Sequence, residues 1–201
     1  MPLDAAAGIP SVDITLGLLA GGRGTRLGGV DKAWLQRGGT PQILRWRDRF
    51  SDEVSTLLVS ANGDPARLAG MGFKAVPDRV ADAGPLAGLD ALAAACNTPW
   101  LLTVPVDLVD PGEGLLLQLA ACRRADGAYA IDDDGMQPLV ALWRTQSLRR
   151  AAADALASGN FAIRSLHATL DMAAVRFEGV RFGNLNTPED LAASGAALPT
   201  R

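Results

Sequence analysis

Apolar and polar positions alternate along the chain between two patterns: short, largely apolar runs, and longer stretches whose apolar residues recur every three or four positions. Residues 14–20 are such a run, stopping at Gly21-Gly22, and predict a strand buried on both faces. Residues 41–50 follow, with Ile43, Leu44 and Trp46 at helical spacing behind a proline. Residues 54–60 predict a second strand and 73–76 a brief third, with Asp64 capping a short helix through Met71 between them. The alanine- and leucine-rich stretch 84–96 predicts a helix, and 100–104 a strand ending at Pro105-Val106-Asp107. Residues 113–124 predict a helix with its cations at the C-terminal end, where the helix dipole favours them. Residues 128–131 and 138–143 predict a hairpin around Asp132-Asp133-Asp134-Gly135. Leu148, Ala151, Ala152, Ala155 and Leu156 form one helical stripe ended by Gly159, and 173–177 predict a late strand. Thr187 caps a last helix, with Pro188 at its first position and Glu189 and Asp190 in its first turn.

Strands alternating with helices imply crossover units, hence an α/β domain of three layers with a mostly parallel sheet. One domain over 1–201 is expected, with 1–11 and 195–201 as loose tails. Such sheets bind ligands beyond the carboxyl ends of their strands. That edge comprises 21–32, 60–62, 77–88 and 105–110. Apolar residues make up 48% of the 201 and charged residues 20%, the composition of a folded chain. A net charge of −3 argues against a nucleic-acid partner. The first ten residues have no basic region and no apolar core, and no run approaches a membrane span. Cys96 and Cys122 sit in apolar surroundings outside any CxxC pair and read as reduced core residues. The expected compartment is therefore the cytoplasm, with no membrane partner.

The chemistry concentrates at Leu19-Ala20-Gly21-Gly22-Arg23-Gly24-Thr25-Arg26-Leu27-Gly28-Gly29-Val30-Asp31-Lys32, which holds five glycines in fourteen residues. Glycine allows close approach of peptide N–H groups to an anion, and Arg23, Arg26 and Lys32 add cations. This is the composition of a triphosphate cradle. No Walker string occurs, and the dinucleotide fingerprint begun by Gly22 and Gly24 meets Leu27 at its third glycine.

The string resembles L-A-G-G-x-x-x-R-[ML]-G-G-x-D-K, the signature of the molybdenum cofactor guanylyltransferases, which have a Rossmann-like fold of the nucleotide-diphospho-sugar transferase type. Five further segments resemble that family in the same order: residues 58–62, the pair Val76-Pro77-Asp78 with Gly84-Pro85-Leu86-Ala87-Gly88, Val104-Pro105-Val106-Asp107, residues 137–143, and residues 184–191. The resemblance implies that Leu19, Ala20, Gly21 and Gly22 hold a nucleotide through backbone contacts and that Lys32 meets phosphate. It implies that Asp78 lies at the guanine edge and Asp107 holds Mg²⁺. The family often has Asn where this chain has Ser60, so Ser60 and Asn62 are both candidates at the second strand's end. The implied activity is transfer of GMP from GTP to molybdopterin, with Lys32, Arg23, Arg26 and Asp107 catalytic. Implied partners are GTP, molybdopterin or molybdenum cofactor, other cofactor-biosynthesis proteins and recipient molybdoenzymes.

Plainer readings stand beside these. Asp107 also suits a helix cap, and Asp78 a turn after Pro77. Asn184 and Asn186 are either turn formers or contacts to the second substrate. The acid run Asp132-Asp133-Asp134 reads as a solvated turn. His167, near no motif, reads as a surface residue. Rival activities are cytidylyl transfer to the same pterin, sugar-1-phosphate nucleotidyl transfer, and a non-catalytic nucleotide- or cofactor-binding delivery protein. The Ala-Gly-Gly at 20–22, where the cytidylyl branch has L-A-A-G, favours guanine by analogy.

Overall fold

The computed structural model describes residues 8–21, 30–61, 63 and 65–199. The strands are β1 (Ile14–Leu19), β2 (Gln36–Arg37), β3 (Thr40–Pro41), β4 (Thr56–Ser60), β5 (Lys74–Val76), β6 (Trp100–Pro105), β7 (Gly127–Asp132), β8 (Gly135–Arg144), β9 (Met172–Arg176) and β10 (Ala196–Ala197). The helices are α1 (Gln42–Phe50), α2 (Pro65–Gly70), α3 (Pro85–Ala95), α4 (Leu115–Cys122), α5 (Thr145–Ser158), α6 (Ile163–Ala168) and α7 (Pro188–Ser194).

The main sheet has seven strands in the order β5-β4-β1-β6-β8-β7-β9. Only β8 runs antiparallel to its neighbours, as the expected hairpin with β7 requires. The other pairings are parallel, so β1, β4, β5 and β6 end on one edge. The alternation of side chains along each strand divides the interior in two. Ile14, Leu16, Leu18, Leu102 and Val104 face a core completed by α1, α2 and α4. Leu19, Leu58, Leu101 and Trp143 face a second completed by α3, α5 and α6. Helices thus cover both faces, which is why β1 and β6 are buried almost throughout and largely apolar, with Thr15 and Thr103 as their polar members. Among the described residues, no helix is long and apolar enough to cross a membrane.

The strand at 54–60 starts later, at Thr56, because Glu53 and Val54 still donate to the Phe50 carbonyl and round off α1. Around the last helix, the Thr187 hydroxyl accepts from Asp190 N–H and the Asp190 carboxylate accepts from Thr187 N–H, a complete capping box. The expected cap Asp64 and residues 1–7 of the expected N-terminal tail lie outside the described residues.

Five expectations need correction, the simplest being Cys122, which is exposed and not a core residue. Residues 195–199 are not a loose tail: Ala196–Ala197 pairs antiparallel with Gln36–Arg37, and residues 200–201 lie outside the described residues. The turn Gly38-Gly39, with φ of 57° and 80°, closes β2 on β3 in the left-handed geometry that favours glycine. Residues 8–13, just before β1, are anchored as well, because Ile9 is buried in the first core. Asp132 is not solvated. It is 1% exposed and accepts from Asp134 N–H, Gln137 Nε2 and Phe182 N–H, so the loop after β9 is tied to the hairpin through it. His167 is not a surface residue. It lies in a helix that the sequence pattern missed, 6% exposed, with ring centroids 4.6 Å from Tyr129 and 4.7 Å from Trp143.

His167 Nε2 lies 2.8 Å from the Pro138 carbonyl and therefore carries the proton it donates. Burial pushes the imidazole below its ordinary value, against the opposing effect of that carbonyl. The unfolded chain takes up a proton near the ordinary value while the folded ring resists it. Stability is therefore full above that value and falls as pH drops below it. Thermal melts between about pH 8 and about pH 5 are expected to show a falling midpoint for the wild type and a flatter profile for His167→Phe.

Candidate functional site

The carboxyl edge of the sheet is stitched together beyond the strand ends. Ala20 N–H donates to the Ser60 carbonyl at 2.9 Å, Ala61 N–H to Val76 at 3.3 Å, and Val106 N–H to Leu19 at 3.0 Å. These bonds use the Leu19 carbonyl and the Ala20 N–H, and they set Gly21, Ser60, Asp78 and Asp107 along one rim. Gly22, Arg23, Arg26 and Asn62 lie outside the described residues.

Asp107 is held chiefly through its backbone. Leu185 N–H donates to the Asp107 carbonyl at 2.8 Å. The Val106 carbonyl accepts from Trp46 Nε1 at 3.2 Å, and the Leu108 carbonyl from Gln42 Nε2 at 3.0 Å. Gln42 and Trp46, both buried on α1, therefore fix the peptide on either side of the carboxylate. Neither residue stands in a motif. The one signal was an amide beside Ile43 on a face that the Ile43–Trp46 spacing directs inward.

Lys32 opens a single 3-10 turn, Lys32–Trp34, capped by the Asp31 carboxylate accepting from Ala33 N–H at 3.0 Å. Ala33, Trp34 and Leu35 are buried behind it, which anchors the lysine stem. The Lys32 ammonium lies 2.8 Å from Asp107 Oδ2 and also donates to Asn186 Oδ1. Residues 75 and 154 positions away in sequence thus meet on one cation.

Asn186 is delivered by the α7 cap. The Asp190 carboxylate accepts from Asn186 N–H at 3.0 Å and Thr187 N–H at 2.9 Å. Those two N–H groups, with a smaller contribution from Lys32, hold its carboxyl below the usual carboxylate range. Asn184 bridges to Leu108, one residue beyond Asp107. Asn184 pairs through its backbone, while Asn186 turns its side chain to Lys32.

Ser60 and Asp78 form a second group, with Ser60 Oγ donating to Asp78 Oδ1 at 3.3 Å. Behind them, Gly88 on α3 permits close packing of helix on sheet. A Cβ there would stand 2.8 Å from Ser60 Oγ and 2.9 Å from Leu19 Cδ2. Gly88→Ala is expected to cost about 1–3 kcal/mol by overpacking, read as a lowered melting temperature. An unchanged melting temperature would mean that the helix shifts freely.

The charge cluster can neutralise and orient phosphoryl oxygens. Asp107 and Asn186 already place two hard oxygens around a cation, which is the donor chemistry magnesium accepts. Among the described residues no three His, Cys, Asp or Glu side chains gather. A divalent ion here would take its other ligands from phosphate and water, as magnesium ordinarily does.

A mostly parallel sheet with a cationic and acidic carboxyl edge, in a chain whose first strand runs into a glycine-rich sequence, is the architecture of a nucleotidyltransferase, and the comparisons agree. The chain belongs to the family described as the MobA-like NTP transferase domain, whose model matches residues 17–173. It is 35% identical over 189 residues to the molybdenum cofactor guanylyltransferase of Cupriavidus necator, covering 89% of this chain and 94% of that protein. It is 38% identical over 188 residues to the protein of the same name from Cereibacter sphaeroides, covering 90% and 95%. Among solved structures, molybdopterin-guanine dinucleotide biosynthesis protein A from Archaeoglobus fulgidus superposes with a TM-score of 0.70 at 19% identity, covering 90% of this chain and 96% of that one. The 2-C-methyl-D-erythritol 4-phosphate cytidylyltransferase of Thermus thermophilus superposes with a TM-score of 0.65 at 22% identity, covering 89% and 96%. These likenesses place the fold with the nucleotide-diphospho-sugar transferases.

Proposed function

We propose that this enzyme transfers GMP from GTP to the terminal phosphate of molybdopterin, releasing pyrophosphate and forming molybdopterin guanine dinucleotide. The observation that carries the reading is the Lys32–Asp107–Asn186 cluster at the end of β6, in a chain whose relatives are named guanylyltransferases. A delivery protein without turnover would have no need to keep that cluster intact.

The acceptor phosphate is already an anion, so attack on the α-phosphorus needs no general base. The chain has to position two anions in line and offset their charge. Lys32 offsets charge on the departing pyrophosphate, with Arg23 and Arg26 of the glycine-rich loop as further cations. Gly21 and Gly22 bring peptide N–H groups to the nucleotide, since the neighbouring Ala20 N–H is committed to Ser60. Asp107 and Asn186 would hold Mg²⁺, which supplies charge neutralisation between phosphoryl oxygens when bound. Asp78, steadied by Ser60, accepts from guanine N1–H and N2–H₂. Cytosine presents a bare ring nitrogen in place of N1–H, and losing one hydrogen bond to a charged group costs about 1.5–3 kcal/mol. Asn184 faces the acceptor side.

Pyrophosphate release in the presence of molybdopterin and Mg²⁺ tests the proposal. GTP is expected to support turnover at least about tenfold better than CTP, and Asp107→Ala to abolish nearly all of it. Equal use of the two nucleotides would overturn the guanine assignment. Near wild-type turnover in Asp107→Ala would remove Asp107 from the mechanism.

A further inference from the structure

We infer that the Arg79–Asp90 pair is a positioning device for purine selection, fixing the loop on which Asp78 stands. The inference rests on the reading above, in which Asp78 accepts from the base edge.

Residues 77–84 join the end of β5 to the start of α3. Most of this loop is exposed; Asp78 is half-buried and Ala83 is buried. It carries Asp82 at a φ of 56° and Gly84 at 58°. Such a segment has little packing of its own to hold a carboxylate in one orientation. Arg79 ties the loop to α3. Its Nε lies 2.9 Å from Asp90 Oδ2 and its Nη2 2.6 Å from Asp90 Oδ1, two parallel bonds between planar groups. That fork fixes direction as well as distance, which a point charge cannot do.

The two partners are unequal. Asp90 is only 2% exposed, inside α3 and flanked by the buried Leu89 and Ala91, whereas more than half of the Arg79 side chain is exposed. A carboxylate buried on a rigid helix demands a partner, and here the partner comes from the exposed loop. The helix is itself locked to the sheet by the close approach of Gly88 to Ser60. Asp78 is thereby held from two sides, its carboxylate by Ser60 and its backbone, one peptide bond away, by Arg79.

Accepting from N1–H and N2–H₂ together requires both Asp78 oxygens in the plane of the base. A loop freed from α3 would keep one contact and lose their simultaneity. The signature is therefore selective. Preference for GTP over ITP, whose base lacks the exocyclic amino group, should fall, and so should preference for GTP over CTP. A pair that served stability alone would change all three nucleotides alike.

The test compares kcat/KM for GTP, ITP and CTP in the full-length enzyme. The variants are Asp78→Ala, Arg79→Lys, and Arg79→Met combined with Asp90→Leu, which leaves no unpaired buried charge. The combined variant is expected to use ITP within about threefold of wild type while its GTP-over-ITP preference falls about fivefold or more, the equivalent of one hydrogen bond. Arg79→Lys keeps the charge but not the fork, and should show a smaller loss of preference. It reads the same ratios if the combined variant does not fold. Wild-type GTP-over-ITP and GTP-over-CTP ratios in the variants, at any absolute rate, would overturn the inference. A wild-type enzyme that does not prefer GTP, or an Asp78→Ala enzyme that keeps the preference, would instead overturn the base-reading role of Asp78, and the inference with it.

Discussion

One ammonium group joins three distant parts of this chain. Lys32 reaches Asp107 after β6 and Asn186 before α7, and each of the three is fixed by structure that has no direct chemical role. The lysine stands on a turn sealed by Asp31 and three buried residues. The aspartate stands on a peptide gripped by Gln42, Trp46 and Leu185. The asparagine stands on a capping box closed by Thr187 and Asp190. A site whose work is electrostatic needs this kind of support, because charges that need not reorganise are the ones that stabilise a transition state.

The rest of the edge follows the same division of labour. Glycine at position 88 lets α3 lie against Ser60, and α3 in turn presents a buried carboxylate to Arg79. On the opposite side, Asp132 ties the β7–β8 hairpin to Phe182, and the neighbouring Phe182 and Gly183 carbonyls accept from Val109 near Asp107. Buried Asp90 and Asp132 thus stand behind the two ends of the site, the first paired with a guanidinium and the second with backbone and amide N–H groups.

Much of this was legible in the sequence. Strands flanked by helices on both faces are mostly apolar, so β1 and β6 announced themselves, and the acidic turn between two apolar runs announced the β7–β8 hairpin. Lys32, Asp107 and Asn186 were each marked by resemblance to one family, although nothing in the spacing of positions 32, 107 and 186 said that they touch. The remainder depended on three-dimensional context. Asp132 and His167 have polar side chains that pattern alone assigns to the surface, yet specific partners bury them. Ala196–Ala197 became a strand only because the Gly38-Gly39 hairpin offered an edge. The Arg79–Asp90 fork joins a loop to a helix eleven residues on, with no motif to mark it.

The central claim is that the Lys32 charge acts on the transition state and does more than anchor the triphosphate. Steady-state kinetics of Lys32→Ala, with GTP varied at saturating Mg²⁺ and acceptor, test it most directly. An interaction that strengthens only as charge moves to the leaving pyrophosphate lowers kcat when removed, whereas uniform binding raises KM. The expected result is a fall in kcat of roughly ten- to a thousandfold with a smaller change in KM for GTP. An unchanged kcat with a raised KM would contradict it.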